Sequence, residues 1–189
     1  MDETVFLWLN GFVGRAPAFD AVIELVVSDY LVPVTLALTL LGLWFACDTA
    51  SRSRYQYGII AAVFAVALSN GSIEILNNFV FRDRPFVDHE VSLLFYEPTD
   101  SSFPANTAAM AFGISAVVWV FNRGVGCILL AISALYAFSR VYAGVHYPLD
   151  VIAGGLIGVV AAGAGHGIAR LLRPLIEIVL KAGRVVLVA

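Results

Sequence analysis

The stretch that decides the fold is Ser139–Asp150, which reads SRVYAGVHYPLD and is followed by an apolar segment up to about Ala169. Proline is favoured in the first turn of a helix, so Pro148 predicts that a helix begins there. His146 then lies near the N-terminus of that helix, and Asp150 lies one turn further on the same face. The run from Tyr147 to about Ala169 is near the roughly 20 residues that a membrane-spanning helix needs. The stretch therefore predicts a membrane span that begins with a histidine–carboxylate pair.

Further apolar segments extend this prediction to most of the chain. The sequence is 60% hydrophobic and 13% charged, whereas soluble domains are about half apolar and a quarter charged. Ala18 to Val27 is short and carries Asp20 and Glu24, which predicts an interfacial or re-entrant helix. We predict an all-α fold, a polytopic membrane helix bundle with about five transmembrane helices plus that N-terminal helix. The other four predicted spans are Leu31 to Cys47, Tyr57 to about Val80, Asn106 to Phe121 and Gly124 to Tyr142.

The chain of 189 residues suits a single membrane domain over 1–189. Within it we expect an N-terminal interfacial segment at 1–30, a motif-bearing core at 57–170 and a C-terminal surface helix at 174–189. A net charge of −3 argues against nucleic acid as a partner. Cys47 and Cys127 lie in apolar stretches and indicate neither a disulfide framework nor a metal cluster.

The basic residues predict which side of the membrane each connection faces. Cytoplasmic loops of membrane proteins carry an excess of lysine and arginine. We therefore assign the larger group to the cytoplasm and the smaller group to the outside, where most of the acids also fall. The larger group is Arg52, Arg54, Arg123, Arg170, Arg173, Lys181 and Arg184, and the smaller group is Arg15, Arg82, Arg84 and Arg140.

Three helix ends on the predicted outer side carry the residues suited to chemistry. They are NNFVFRDRPF at 77–86, SSFPANT at 101–107 and the 139–150 stretch. A carboxylate one turn from His146 can hold the imidazole in one tautomer, which suits a nucleophile or a base. The guanidinium forks of Arg84 and Arg140 match phosphate oxygens. Helix N-termini at Asn106 and near His146 add amide donors. These residues predict a site for a phosphate that is attacked and released.

The three segments resemble the type-2 phosphatidic acid phosphatase superfamily. Its signature is Lys-x6-Arg-Pro, then Pro-Ser-Gly-His, then Ser-Arg-x5-His-x3-Asp. The resemblance covers roughly residues 57 to 170 with correct order and spacing, and the third motif is complete. The FRDRPF stretch and the short N-terminal spans are most similar to the bacterial undecaprenyl-diphosphate phosphatase branch.

The resemblance implies a metal-independent enzyme without a cofactor that forms a phosphohistidine. It implies that His146 is the nucleophile and that Asp150 orients it. The implied phosphate-binding residues are Arg84, Arg140, Ser139, Asn77, Ala105 and Asn106.

The sequence departs from the signature at two positions. Asn77 stands where the family has lysine, so a charge is missing there. The second motif reads Pro-Ala-Asn-Thr, so Thr107 stands where the family has the histidine that protonates the leaving oxygen and later activates water. Loss of such a group slows a reaction by about 10²–10⁴-fold. A slow enzyme, a deliberately silenced enzyme and a relative with a changed task all remain open.

We expect hydrolysis of a lipid diphosphate or monophosphate at the outer face of the plasma (inner) membrane. The branch resemblance implies undecaprenyl diphosphate, used in cell wall biogenesis, as the first candidate substrate, and phosphatidic acid and phosphatidylglycerol phosphate are the other candidates. The alternative is a non-catalytic binder or carrier of lipid phosphates. The expected partners are this lipid and the bilayer, and a homo-oligomer is left open.

Several of these residues also have ordinary structural interpretations. His146 with Asp150 would serve as a helix cap, and Arg84 and Arg140 as interfacial anchors. We interpret Arg82 as an anchor or a headgroup contact. The role of Glu74, which lies inside the second predicted span, is left open.

Overall fold

The computed structural model describes residues 2–45 and 51–185, and all regular structure in these two ranges is helical. This confirms the all-α prediction. Cys47, at the end of one predicted span, and the last four residues of the predicted C-terminal surface helix lie outside the described ranges. The helices are α1 (Asp2–Asn10), α2 (Pro17–Val27), α3 (Leu31–Phe45), α4 (Arg52–Asn77), α5 (Pro85–Asp88), α6 (Asn106–Phe121), α7 (Arg123–Tyr142), α8 (Pro148–Leu171) and α9 (Arg173–Val185).

The predicted spans coincide with helices. In the described part of the chain, α4, α7 and α8 are each long and apolar enough to cross a membrane. Helix α6 is apolar with 16 residues, and the exact number of crossings stays a prediction. Val63, Ile128 and Val160 project exposed apolar side chains from the three long helices, as expected where lipid replaces water around a bundle.

Helices α2 and α3 form a bent pair, which agrees with the predicted short N-terminal helix. They meet at an angle of 53° and together have the length of one broken span or a re-entrant loop. Ser28 ends α2, and its hydroxyl accepts a hydrogen bond from the Leu31 amide at 3.2 Å. That bond satisfies an amide at the start of α3 that has no partner within the helix. The bend exposes a short connection that carries Asp29.

Small residues let α4, α6 and α8 pack closely in the centre of the bundle. A Cβ atom added to Gly154 would collide with the carbonyl oxygen of Ala105, and one added to Gly158 would collide with that of Ala109. Gly165, near the end of α8, is similarly close to the backbone of α4 at Ala65. These contacts set the distance between the helices that carry the polar residues.

We expect Gly158→Ala to destabilise the bundle by about 1–3 kcal/mol, as overpacking of a close contact does. Thermal unfolding in detergent measures the effect, and Gly163→Ala is the matched control. Gly163 lies on the same helix, and a Cβ atom there meets nothing within 4 Å. Equal melting temperatures for the two variants would contradict this role for Gly158.

The helix directions bring the three polar segments to one end of the bundle. Tyr55, near the start of α4, packs against Phe121 at the end of α6 with ring centroids 5.3 Å apart. At the other end, the Ala105 amide donates to the Asp150 carbonyl at 3.0 Å, which joins the starts of α6 and α8. The ends of α4 and α7, the 78–105 connection and the starts of α6 and α8 therefore share one end.

Candidate active site

A tight turn between α7 and α8 positions His146. Gly144 has a positive φ of 90°, a conformation that favours glycine. The turn folds back so that the amides of Val145 and His146 donate to the Arg140 carbonyl at 3.2 and 3.3 Å. Pro148 then begins α8. The predicted place of His146 at the N-terminus of this helix is confirmed, and the reason is local backbone geometry.

Both ring nitrogens of His146 are engaged, and the side chain is 3% exposed. Nδ1 lies 2.9 Å from the Ser102 carbonyl oxygen, which can only accept a hydrogen bond. Nδ1 therefore carries the proton. Nε2 is left with its lone pair and lies 3.2 Å from Nη1 of Arg84. The lone pair accepts the guanidinium N–H in this structure. An unprotonated ring nitrogen is the atom with which a histidine can attack phosphorus.

The surroundings of His146 keep its ring neutral. Burial first, and then the positive charges of Arg84 and Arg140, hold the pKa of His146 well below its ordinary 6.5, although the hydrogen bond to Ser102 opposes the shift. Arg140 lies at the same turn, because its backbone carbonyl accepts from the Val145 and His146 amides. The ring is therefore unprotonated and nucleophilic at neutral pH.

Asp150 does not bond to the imidazole directly. Its Oδ2 atom lies 3.9 Å from Nδ1 of His146 and accepts instead from the Ser102 hydroxyl at 2.5 Å and from the Tyr147 amide at 2.9 Å. The carboxylate turns back to cap its own helix, so it faces the helix N-terminus rather than the ring. Ser102 forms the link, since its hydroxyl holds Asp150 while its carbonyl holds His146.

Arg82 is part of this cluster through two ion pairs that its interpretation as a membrane anchor or headgroup contact did not include. Its Nη1 donates to Oδ1 of the fully buried Asp150 at 2.6 Å, and its Nη2 donates to Asp2 at 2.8 Å. The guanidinium also stacks over the Tyr147 ring at 4.0 Å from the centroid. Arg82 thus compensates the buried carboxylate and ties α1 to the start of α8.

Arg84 and Arg140 are both buried, and each is held by an acid from a connection. Arg84 donates to the Val145 carbonyl at 2.9 Å and, through Nη2, to Asp100 at 2.8 Å. Nη2 of Arg140 donates to Asp29 at 2.5 Å and to the Tyr136 hydroxyl at 2.7 Å. Asp29 lies at the bend between α2 and α3, so the N-terminal segment completes the site. Neither acid is among the site residues predicted from the sequence.

Arg140 also has an unused donor. Its Nε atom is buried and has no hydrogen-bond partner among the described residues. A buried N–H without a partner is costly and rare. The guanidinium is stacked over the Phe95 ring, 4.6 Å from the centroid, which fixes its plane. A phosphoryl oxygen would supply the missing acceptor.

The remaining predicted site residues have fewer described contacts that link them to His146. The Ser139 hydroxyl donates to the Tyr136 carbonyl of its own helix at 2.7 Å, and the Ala105 amide is used by Asp150. Asn106 begins α6. In Thr107 and Asn77, the side-chain oxygens are buried without a partner among the described residues. The described contacts join Arg84, His146 and Asp150 through side chains and Ser102, and they join Arg140 through its backbone carbonyl. They do not connect Asn77 to these residues.

We expect Arg82→Gln to lower kcat by about 10–100-fold, because a charge-assisted hydrogen bond to a buried carboxylate contributes about 1.5–3 kcal/mol. KM should change little, since Arg82 contacts Asp150 rather than the candidate phosphate site. Steady-state kinetics measure both constants. Arg15→Gln is the control, because Arg15 is an exposed arginine stacked over Phe12. A loss confined to KM, or an equal loss in the control, would exclude this positioning role.

The chain is similar to known proteins along most of its length. A family model described as the PAP2 superfamily matches residues 58–172. The chain is 28% identical over 181 residues to undecaprenyl-diphosphatase BcrC of Bacillus subtilis (strain 168), covering 96% of this chain and 91% of that protein. It is 28% identical over 162 residues to the putative undecaprenyl-diphosphatase YbjG of Escherichia coli (strain K12), covering 85% of this chain and 78% of that protein.

A solved structure supports the same relationship. The crystal structure of Aquifex aeolicus LpxE superposes with a TM-score of 0.66 at 28% sequence identity, covering 87% of this chain and 93% of that one. The residues that the family model matches, 58–172, include all three polar segments and the helices between them.

Proposed function

The chain belongs to the PAP2 superfamily, and from this membership we propose that it is a membrane lipid phosphatase that hydrolyses a lipid diphosphate to the lipid monophosphate. The observation that carries the proposal is the unprotonated Nε2 of His146, which is held 3.2 Å from Arg84 in a buried site at the turn that the Arg140 carbonyl closes. Two guanidinium groups would bind the terminal phosphoryl group beside a nucleophile.

The proposed reaction has two steps and needs no metal. Nε2 of His146 attacks the terminal phosphorus, the bond from phosphorus to the bridging oxygen breaks, and the lipid monophosphate leaves. Nδ1 keeps its proton and shares the positive charge of the phosphoimidazole with the Ser102 carbonyl. Water then cleaves the phosphorus–nitrogen bond and releases inorganic phosphate with a neutral His146. Arg84 and the free Nε of Arg140 would stabilise the phosphoryl oxygens in both steps.

Undecaprenyl diphosphate is the proposed substrate, at the outer face of the plasma membrane. The printed names of BcrC and YbjG support this substrate. Next to Arg82, the exposed side chains of Phe79, Val80 and Phe81 offer apolar surface for a prenyl tail. The outer orientation is supported by the seven basic residues predicted at the opposite end of the bundle.

A carrier that binds a lipid phosphate without cleaving it is the second candidate, and Thr107 favours it. Threonine in place of an acid–base histidine removes the proton donor and the later base, while Arg84 and Arg140 would still bind phosphate. The lone pair of His146 argues for the enzyme, because binding alone requires no nucleophile.

Phosphate release in detergent with EDTA present separates these functions. Purified protein is given undecaprenyl diphosphate, phosphatidic acid or phosphatidylglycerol phosphate, and both products are measured. We expect inorganic phosphate and undecaprenyl phosphate in equal amounts, with the diphosphate cleaved fastest. Tight binding without release would establish the carrier, and faster cleavage of the glycerolipids would overturn the proposed substrate.

The low pKa of His146 predicts the acidic limit of activity. The His146 ring stays unprotonated as the pH falls through 6.5. The fall of kcat/KM on the acidic side of the pH profile, where His146 becomes protonated, should therefore lie below pH 6.5. Arg84→Gln removes one charge that lowers this pKa, so its limb should move to higher pH in addition to a loss of rate. Profiles from about pH 4 to 8 test this. Protonation of the substrate affects the unmodified protein and Arg84→Gln equally. An acidic limb that does not move in the variant would therefore contradict its assignment to His146.

A further inference from the structure

A cavity lined by both charged and apolar side chains lies at the other end of the bundle from the candidate active site. It has a volume of about 660 Å³ and is bounded by the start of α4, the end of α8 and the surface helix α9. His166, the α8 residue of the cavity wall nearest to the candidate active site, lies 18 residues beyond Pro148 at the start of the helix. At 1.5 Å per residue this is about 27 Å along the helix axis. The cavity is therefore independent of the candidate active site.

The cavity wall carries an excess of positive charge. Arg54, Arg170, Arg173 and Lys181 line it, together with the carboxylate of Glu177. Glu177 pairs with Arg173 at 2.8 Å. Among the described residues, the other three cations form no ion pair. Like charges around one concave space repel each other, and an anion placed between them would remove that repulsion.

Apolar surface next to the cavity indicates the source of this anion. Ile176 and Leu180 of α9 are buried against the bundle. Leu175, Ile178 and Val179 of the same helix are exposed. An amphipathic helix with basic and apolar faces lies in the membrane interface, where lipid headgroups meet acyl chains. A lipid with its phosphate in the cavity would therefore place its acyl tail along the exposed apolar side chains of α9.

We propose that this cavity binds the phosphate headgroup of an anionic phospholipid, at the end of the bundle opposite His146. Arginine and lysine at this position suit a phosphodiester, because guanidinium forks bind two phosphate oxygens and an ammonium adds a point charge. Clustered basic residues at a membrane surface attract anionic lipids by about 1 kcal/mol for each cation. This lipid site is separate from the candidate active site, and it does not depend on the identity of the proposed substrate.

Native mass spectrometry of the full chain tests the proposal, with dioleoyl phosphatidylglycerol as the probe and dioleoyl phosphatidylcholine as the neutral lipid. A phosphodiester is chosen because a phosphomonoester would be a candidate substrate of the other site. We expect preferential retention of phosphatidylglycerol. The Arg54→Gln/Arg170→Gln double variant should reduce it by at least about tenfold, as the loss of two cations predicts. Cleavage of substrate should be unchanged.

The control is Arg123→Gln, because Arg123 lies at the same end but stacks over Trp119 at 5.2 Å, outside the cavity wall. Equal retention of the two lipids, or an equal loss in the control, would overturn the site. Displacement of phosphatidylglycerol by millimolar inorganic phosphate would identify a soluble anion as the ligand and overturn the lipid assignment. If the double variant melts at a lower temperature, Lys181→Gln on the exposed face of α9 repeats the comparison.

Discussion

Replacing His146 by alanine should abolish phosphate release, with a loss on the order of 10⁴–10⁶-fold in kcat, as expected when a covalent nucleophile is removed. The expected loss follows from the lone pair on Nε2, which the bond between Nδ1 and the Ser102 carbonyl leaves available for attack. Phosphate release from undecaprenyl diphosphate measures the effect. His89→Ala is the control, since His89 packs against the Tyr147 ring and lies outside the cluster. It should stay within about threefold of the unmodified protein, below the cost of one net hydrogen bond.

Folding must be separated from chemistry in this test. Alanine at position 146 leaves the Ser102 carbonyl without its imidazole partner, and an unpaired buried group costs about 1–3 kcal/mol. Arg84 loses one contact but keeps its hydrogen bonds to the Val145 carbonyl and to Asp100. His146→Gln can still hydrogen-bond but cannot attack phosphorus, so it should fold and remain inactive. A folded glutamine variant that retains activity would show that His146 is not the nucleophile. An acid-labile phosphoryl label that is absent from both variants would support the covalent intermediate.

Thr107→His should increase the hydrolysis of lipid monophosphates by about 10²–10⁴-fold, the usual contribution of a general acid–base group. Thr107 lies in the first turn of α6, and its hydroxyl has no partner among the described residues. Threonine cannot exchange a proton near neutral pH, whereas histidine can. Matched lipid monophosphates and diphosphates are compared in the same detergent.

The gain should be smaller for lipid diphosphates. Their leaving group is a lipid monophosphate, a much weaker base than an alkoxide, and it needs less protonation in the transition state. Thr107→Gln is the control, because glutamine resembles histidine in size and supplies no proton near neutral pH. An equal gain on both substrate classes would contradict the leaving-group argument. A gain in the glutamine variant would assign the effect to packing rather than to proton transfer.

The second step should respond to the same substitution. Without a base at position 107, water attacks the phosphohistidine slowly, so the labelled intermediate should accumulate in the unmodified protein. Thr107→His should lower its steady-state level while it raises turnover. This change in level distinguishes a catalytic gain from tighter substrate binding, which would leave the fraction of labelled protein equal or higher.

The sequence by itself determined the helical bundle and the positions of its longest helices. It also located His146 at the start of α8, because Pro148 and the four-residue spacing to Asp150 act through local backbone geometry. Length and apolar composition predict a span without knowledge of its neighbours. The number of membrane crossings is harder to predict from the sequence, because the bend between α2 and α3 depends on how a short polar connection packs against the rest of the bundle.

Only the tertiary structure decided how the charged groups pair. Arg82 and Asp150 are 68 residues apart, and Arg140 and Asp29 are 111 residues apart. No periodicity in the sequence records such pairs, because they form only when distant connections meet at one end of the bundle. The tertiary structure also placed Ser102 between Asp150 and His146. A carboxylate in the first turn of a helix can cap that helix or contact a neighbouring side chain. Asp150 accepts from the Tyr147 amide and from Arg82, and these bonds take the place of direct contact with the His146 ring.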